Sequence, residues 1–133
     1  MTKVGPSVGD AESDELATSL SMDPAGPVQR QLDAYNARDL EAFVAEYADD
    51  VQMFKPPAPQ PVIEGKRAMA AHYAAHRFNT PGLHAELVNR MVFGNTVIDH
   101  ERITGIGPDC VDAAVVFEVR GALIAKVWFF GGE

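Results

Sequence analysis

The sequence predicts an α+β domain whose helices pack on one face of a β-sheet. Two observations carry this prediction: three helical segments lie within residues 27–78, and residues 83–130 alternate in the manner of four consecutive strands. Helices that precede a meander of strands are typical of this fold class. The 133 residues, of which 47% are apolar, are enough for one domain with a single hydrophobic core.

Three helices are predicted, and the first starts at Pro27, which suits a first helical turn. A break between Asn36 and Asp39 follows, and Asp39 can cap a second helix that runs through "DLEAFVAEYADD". In that helix Tyr47 continues the apolar spacing. After Gly65, the Ala- and Met-rich segment "KRAMAAHYAAHRF" predicts the third helix.

The strands begin with a short one, "VQMF", which the segment "KPPAPQP" ends because proline supplies no backbone donor. Four longer strands follow: "LHAELVNRMVF", "TVIDHERITG", "CVDAAVVFEVR" and "ALIAKVWFF". Gly94-Asn95 and Gly121 mark tight turns between neighbouring strands, so the four form a meander.

Residues 1–24 differ in composition from the rest of the chain. They mix Gly, Ser, Pro and acidic residues, with five acids against Lys3 and few periodic apolar positions. Such a composition is typical of disorder. We therefore predict a disordered acidic tail at residues 1–24 and a folded domain at residues 25–133.

The charge of the chain argues against two classes of partner. Nineteen Asp and Glu residues against eleven Lys and Arg give a formal charge of -8. Phosphate binding needs a basic surface, so we expect neither nucleic acid nor a membrane surface as a partner. No apolar run reaches the roughly 20 residues that span a bilayer, and no secretory signal is visible. We therefore expect a cytoplasmic protein.

The segments "LDAYNARDLEAFVAEYADDVQMF" and "VIDHERITG … VVFEVRGALIAKVWFF" resemble the superfamily of nuclear transport factor 2, ketosteroid isomerase and SnoaL-like proteins. The resemblance covers about residues 27–131. It implies a cone-shaped, curved mixed sheet with three N-terminal helices on its concave face and an apolar cavity in the mouth. Members include isomerases, polyketide cyclases, epoxide hydrolases, dehydratases, binding subunits and transport adaptors, so the resemblance does not imply a reaction.

The positions that match the catalytic residues of ketosteroid isomerases hold other residue types here. The resemblance matches the general base to Lys55, the Tyr donor to Gln31 and the second donor, a protonated Asp, to a residue within 113–115. A protonated lysine cannot accept a proton, an amide is a weak donor, and residues 113–115 are apolar. We therefore predict that the protein does not perform ketosteroid isomerase chemistry.

A second comparison concerns residues 101–104. Epoxide hydrolases of the superfamily carry a Glu-Arg-x-Asp segment whose Arg and Asp face the cavity, and here Arg102 matches but Thr104 replaces the carboxylate. Because strand side chains alternate, this match predicts that His100 and Arg102 face the cavity, whereas Asp99 and Glu101 face away. His100 and Arg102 are therefore the predicted catalytic pair, suited to hold a carbonyl or carboxylate group. The alternative is that Arg102 pairs with an internal acid and His100 is a structural wall residue.

Further side chains are candidates for contact with a ligand. The predicted ligand-binding residues are Gln31, Tyr35, Phe54, Lys55, Tyr73 and Trp128. A plain core position is the alternative for each aromatic residue, and an exposed ion pair is the alternative for Lys55. His72 and His76 have a spacing that can place two imidazoles on one metal, but a solvated helix face explains them better, and we expect neither a metal nor a cofactor. His84 and Arg90 lie on a strand whose register stays open.

These observations leave three functions open. The missing catalytic acids favour a pocket protein that binds a small apolar compound bearing a carbonyl or carboxylate group. The first alternative is an acid/base enzyme of the isomerase, cyclase or dehydratase type, acting on a polyketide- or steroid-like carbonyl compound. The second is a protein-interaction module. The resemblance and the apolar residues on the outer sheet face also predict a homodimer.

Overall fold

The fold is described for residues 23–131 in a computed structural model of the protein. The helices are α1 (Ala25–Ala37), α2 (Leu40–Val44) and α3 (Lys66–His76). The strands are β1 (Tyr47–Phe54), β2 (Ile63–Glu64), β3 (His84–Phe93), β4 (Thr96–Thr104), β5 (Val111–Arg120) and β6 (Leu123–Gly131). The predicted acidic tail at residues 1–24 lies, except for its last two residues, outside the described part of the chain.

The six strands form one curved sheet in the order β2-β1-β6-β5-β4-β3. β1 runs parallel to β6, and the other neighbours are antiparallel, so the sheet is mixed. The three helices cover its concave face, here called the inner face, and the core lies between them. This arrangement confirms the predicted fold class. None of the helices in residues 23–131 is long and apolar enough to cross a membrane.

A tight break separates α1 from α2. Arg38 ends α1 in the left-handed conformation, with a φ of 54°. The carboxylate of Asp39 then accepts a hydrogen bond from the backbone N–H of Ala42 at 3.1 Å, which satisfies one of the free donors at the start of α2. Both the break and the cap are where the sequence predicts them.

The predicted second helix is too long, because the chain leaves the helix after Val44 and enters β1. Pairing with β6 decides this change: the N–H of Ile124 donates to the carbonyl of Glu46 at 2.9 Å, and Tyr47 pairs with Ile124. The apolar spacing continues through the boundary because Tyr47 is also the first buried residue of the strand. Helical spacing alone therefore placed this boundary wrongly.

Asn36 ties the end of α1 to the sheet. Its side-chain amide donates to the carbonyl of Ala85 at 2.9 Å, and its side-chain oxygen accepts from the N–H of Ala85 at 2.7 Å. These two bonds reproduce the pairing that a neighbouring strand would make with β3. They hold the helix against the inner face, where the cavity described below is enclosed.

Candidate functional site

A small cavity lies between the three helices and the inner face of β4, β5 and β6. Its volume is about 40 Å³. It is lined by Gln31, Leu32, Tyr35, Phe43, Tyr47, Tyr73, Glu101, Ile103, Ala113, Val115, Phe117, Phe129 and Phe130. Phe130 is 45% exposed, so the cavity reaches solvent beside this ring. The lining is mainly aromatic, and it includes one carboxylate, that of Glu101, and one side-chain amide, that of Gln31.

The carboxylate is that of Glu101, which projects from the inner face of β4 and is only 7% exposed. Burial alternates along this strand, and Val97, Asp99 and Ile103 share the buried face with Glu101. The predicted orientation of β4 is therefore wrong by one residue. Asp99 and Glu101 face inward, and the intervening residues face away.

His100 and Arg102, the predicted catalytic pair, lie on the outer face of the sheet. His100 Nε2 lies 3.1 Å from Asp112 Oδ1, and Arg102 Nε lies 3.4 Å from the same oxygen. Both side chains are more than 40% exposed. The hydrogen bond to His100, and then the charge of Arg102, lower the pKa of Asp112. The expectation that the pair faces the cavity is wrong because Arg102 is in register with Asp112, across from it on the outer face of β5.

A buried ion pair lies beside the cavity on the inner face. Arg90 Nε and Nη2 donate to the two carboxylate oxygens of Asp99 at 2.7 and 2.9 Å. Arg90 Nη1 donates to Gln29 Oε1 on α1 at 2.9 Å. The hydrogen bond to Asp99 is the main cause that raises the pKa of Arg90, and the charge of Glu101 adds to it. Asp99 is fully buried, so this pair neutralises a carboxylate that has no contact with solvent.

The amide in the lining is oriented by two hydrogen bonds. The hydroxyl of Tyr47 donates to Gln31 Oε1 at 2.9 Å, and Gln31 Nε2 donates to the carbonyl of Val28 at 3.0 Å. Burial raises the pKa of Tyr47 well above its usual range, and the neighbouring Tyr73 and Glu101 raise it further. The Tyr47 hydroxyl therefore stays protonated and donates its hydrogen bond to Gln31 Oε1.

Three of the six predicted ligand-binding residues line the cavity: Gln31, Tyr35 and Tyr73. Phe54 and Trp128 do not line it, because both lie on the outer face, where their rings stack with centroids 5.5 Å apart and planes 14° apart. Lys55 is exposed in the segment after β1 and does not line the cavity either. The predicted cavity positions of these last three residues are therefore wrong.

The two histidines at helical spacing lie on α3 outside the cavity. The ring centroids of His72 and His76 are 4.9 Å apart. Within residues 23–131, no group of three or more His, Cys, Asp and Glu side chains could hold a metal ion.

Sequence reasoning missed Glu101 and Tyr47 as cavity residues, and it left open that Arg90 faces inward, where it pairs with Asp99. A signal for Glu101 exists in β5, where the charged Asp112 and Glu118 alternate with buried apolar residues. That pattern identifies the outer face of β5, and the opposite charges of Arg102 and Asp112 would have placed Arg102 on the same face. Glu101 then follows as an inward residue.

Comparisons with known proteins agree with this fold. A family model described as a SnoaL-like domain matches residues 28–127. No curated protein matches the chain at a significant level. A cystatin-fold protein of uncharacterised role from Novosphingobium aromaticivorans is 25% identical in sequence; the match covers 82% of this chain and 98% of that one, with a TM-score of 0.72.

Two further solved structures are named for a reaction. A candidate ketosteroid isomerase from Kribbella flavida is 22% identical, with 83% of this chain and 78% of that one covered and a TM-score of 0.70. A candidate polyketide cyclase from Sinorhizobium meliloti is 20% identical, with 78% and 93% covered and a TM-score of 0.68. At these identities the likeness extends to the fold alone.

Proposed function

The chain belongs to the SnoaL-like domain family, and on this premise we propose that it binds a small, largely apolar molecule in the cavity beside Glu101. The observation that carries the proposal is a mainly aromatic cavity with two buried polar side chains, Gln31 and Glu101. Small-molecule sites commonly combine an apolar wall with a few placed polar groups. A volume of about 40 Å³ suits a small ligand, or one end of a larger one.

The polar side chains of the cavity favour a different class of ligand from the one that the sequence predicted. Arg102, which was expected to hold a carboxylate, is on the outer face, and Glu101 lies in the cavity instead. Two carboxylates in one apolar cavity repel each other strongly because little water screens them. A carboxylate-bearing ligand is therefore disfavoured, and a neutral or positively charged molecule fits the cavity better.

A cavity-filling substitution with a matched control tests the proposal. Ala113 lines the cavity and Ala114 is its neighbour on the outer face, so Ala113→Leu and Ala114→Leu add the same side chain on opposite faces. Small apolar fragments titrated against labelled protein should shift the NMR signals of the Gln31 side chain and the Glu101 backbone. Ala113→Leu should weaken this binding about tenfold or more, and Ala114→Leu should not. The proposal fails if no fragment gives saturable shifts, or if both variants bind equally.

Acid/base catalysis is the second candidate, and the buried carboxylate of Glu101 favours it. A carboxylate held in such a site is one of the groups that enzymes use as the acid or base when they move a proton to or from carbon. Carbonyl compounds incubated in D₂O should then gain deuterium beside the carbonyl, as read by NMR. Glu101→Gln should abolish this exchange, whereas Glu86→Gln on the outer face should leave it intact. Equal exchange in all three proteins, or none in the parent, would count against catalysis.

We propose in addition that a 5-ene-3-ketosteroid is not isomerised. Two of the positions matched to isomerase catalytic residues contribute to the cavity wall, and there they hold Gln31 and the apolar segment that includes Ala113. Lys55 supplies no base to the cavity. We expect no increase over hours in the absorbance of the conjugated enone product, even when the protein is present at more than trace concentration. A clear increase would contradict the proposal.

The homodimer is a proposal that rests on the outer face of the sheet. One residue from each of five strands falls in a single registered row across that face: Phe54, Trp128, Val116, Ile98 and Met91. Met91 at the end of this row is 45% exposed. A second copy of the chain would cover this apolar row with an equal one.

Sedimentation tests the dimer. The parent should sediment near twice its chain mass of 14.4 kDa. Val116→Lys places a charge in the middle of the row and should give the monomer, while Val62→Lys alters an exposed apolar residue outside the row and should not. A parent that sediments as a monomer at micromolar concentration would exclude the dimer.

A further inference from the structure

β3 is a long strand at one edge of the sheet. Within residues 23–131 it pairs only with β4, whereas β2 at the opposite edge is two residues long and follows the proline-rich segment 55–61. Short strands and prolines protect a sheet edge from further pairing. β3 spans ten residues and contains no proline, so its outer side has room for another strand.

The backbone of β3 has a partner on that side near one end. The side chain of Asn36 bonds to both backbone groups of Ala85, as an adjoining strand would. At the other end, Phe93 and Thr96 close a two-residue hairpin, so the alternate residues Arg90 and Val92 direct their backbone groups away from β4. No hydrogen bond within residues 23–131 uses those groups.

The same end of β3 exposes apolar side chains. Residues 23–131 contain eight large apolar side chains that are exposed, and half of them lie within the last six residues of β3: Val88, Met91, Val92 and Phe93. Each is more than 40% exposed. Open backbone groups and apolar side chains on one strand are typical of an edge that pairs with another strand.

The chain enters α1 beside this end of β3. Asn36, near the end of the helix, bonds to the start of β3, and Gln29 bonds to Arg90 near the end of the strand. The helix therefore runs antiparallel to β3. It begins about 6 Å before Gln29, and the strand ends about 10 Å beyond Arg90.

A turn at Asp23 leads into α1. The carboxylate of Asp23 accepts a hydrogen bond from the N–H of Ala25 at 3.0 Å, and its carbonyl accepts one from the N–H of Gly26 at 2.9 Å. A strand, a short turn and a helix that runs back along the strand form the first part of a β-α-β unit. A strand that ends just before Asp23 would therefore run parallel to β3.

The sequence that precedes Asp23 has the pattern of such a strand. Residues 16–22, "LATSLSM", lie outside the described part of the chain and are here called the tail segment. Larger side chains alternate in it with small ones: Leu16, Thr18, Leu20 and Met22 against Ala17, Ser19 and Ser21. The segment contains neither proline nor a charged residue, whereas residues 10–15 hold four acids.

From these features we propose that the tail segment pairs with residues 87–93 of the same chain, as an additional parallel strand at the edge of the sheet. Its larger side chains then cover the exposed apolar residues of β3. Because the segment is joined directly to α1, this pairing does not depend on protein concentration. The disorder predicted for residues 1–24 is then confined to the residues before Leu16. The proposal concerns an edge of the sheet and is independent of the cavity and its ligand.

Amide hydrogen exchange of the full chain, read by NMR, tests the pairing. The amides of Arg90 and Val92, here called the edge amides, should exchange at least about tenfold more slowly than unprotected amides. Nuclear Overhauser contacts should connect backbone protons of the tail segment with those of residues 87–93. Rapid exchange of both edge amides in the parent would overturn the proposal.

Three proline variants identify the partner. Thr18→Pro and Ser19→Pro each remove one backbone donor, and together they cover both orientations of the tail segment. At least one of them should speed exchange of the edge amides about tenfold or more. The amide of Met91, which faces β4, should stay protected and so shows that the domain remains folded. Val8→Pro lies outside the tail segment and should change neither rate.

Two further outcomes would contradict the proposal. Edge amides that stay protected in both tail-segment variants would mean that some other group covers the edge. Protection that rises with protein concentration, together with contacts between a labelled and an unlabelled copy, would show that a second copy of the chain occupies it.

Discussion

The two faces of β4 treat charged side chains in opposite ways. On the inner face Arg90 and Asp99 meet at 2.7 Å, and Asp99 has no exposure to solvent. On the outer face Arg102 approaches Asp112 at 3.4 Å, and both side chains are about half exposed. The same pair of residue types is therefore enclosed in a low dielectric on one face and screened by water on the other. Enclosure, more than residue type, therefore decides what an ion pair contributes to stability.

The same contrast explains where chemistry can occur. His100 and Arg102 are the residues of β4 for which the sequence predicted a catalytic role, but they lie on the outer face and pair with Asp112. Glu101 points into a cavity that helices and aromatic rings enclose. Interactions with a bound molecule are stronger there because water does not compete for them.

The largest expected effect comes from breaking the inner pair. Arg90→Met leaves Asp99 buried without its partner, and such a loss typically costs about 3 to 5 kcal/mol of unfolding free energy. Arg102→Met is the matched substitution on the outer face and should cost less than about 1 kcal/mol, because exposed pairs contribute little. Urea denaturation of both variants measures the difference. Similar losses would show that the two faces do not differ in the way described.

The second effect concerns the buried hydroxyl of Tyr47. Tyr47→Phe removes the donor to Gln31 Oε1, which stays buried, so the free energy of unfolding should fall by about 1 to 3 kcal/mol. The substitution should also change the response to alkaline pH. Since the folded-state pKa of Tyr47 is raised above 10.0, the unfolded chain loses this proton first, and stability falls as pH rises above about 10.

Denaturation of parent and Tyr47→Phe at pH 8 and pH 11 separates these two contributions. The parent should lose more stability than the variant between the two values, because only the parent has the buried phenol to ionise. Losses of equal size would mean that Tyr47 titrates in the folded protein as it does in the unfolded chain.

The smallest effect lies on the outer face. The pKa of Asp112 is lowered from its ordinary value of 3.8, foremost by the hydrogen bond to His100. The stabilisation from this carboxylate is therefore present above about pH 4 and is lost as pH falls through the lower folded-state value. Asp112→Asn should make the melting temperature slightly less dependent on pH between about 2 and 5, and His100→Gln should act in the same direction. Melting curves that keep the parent's slope in both variants would exclude the contribution.

Much of the fold follows from local features of the sequence. Pro27 and the break before Asp39 mark the first two helices, and Gly94-Asn95 marks a hairpin, because capping and turn geometry depend on a few neighbouring residues. The end of α2 was placed wrongly, since Tyr47 suits both a helical face and a strand. Pairing of β1 with β6, more than 70 residues away in the sequence, settled that boundary.

By itself the sequence determined the fold class, the family and the presence of two alternating faces on β4. It did not determine which face is enclosed, because each face carries both apolar and charged residues: Ile98 with Arg102 on one, and Val97 with Glu101 on the other. An alternating pattern has a period of two, so a shift of one residue exchanges the faces without changing the pattern. Only the tertiary structure decided between them, through the pairing of Arg90 with Asp99 inside, the pairing of Arg102 with Asp112 outside, and the helices that cover Glu101.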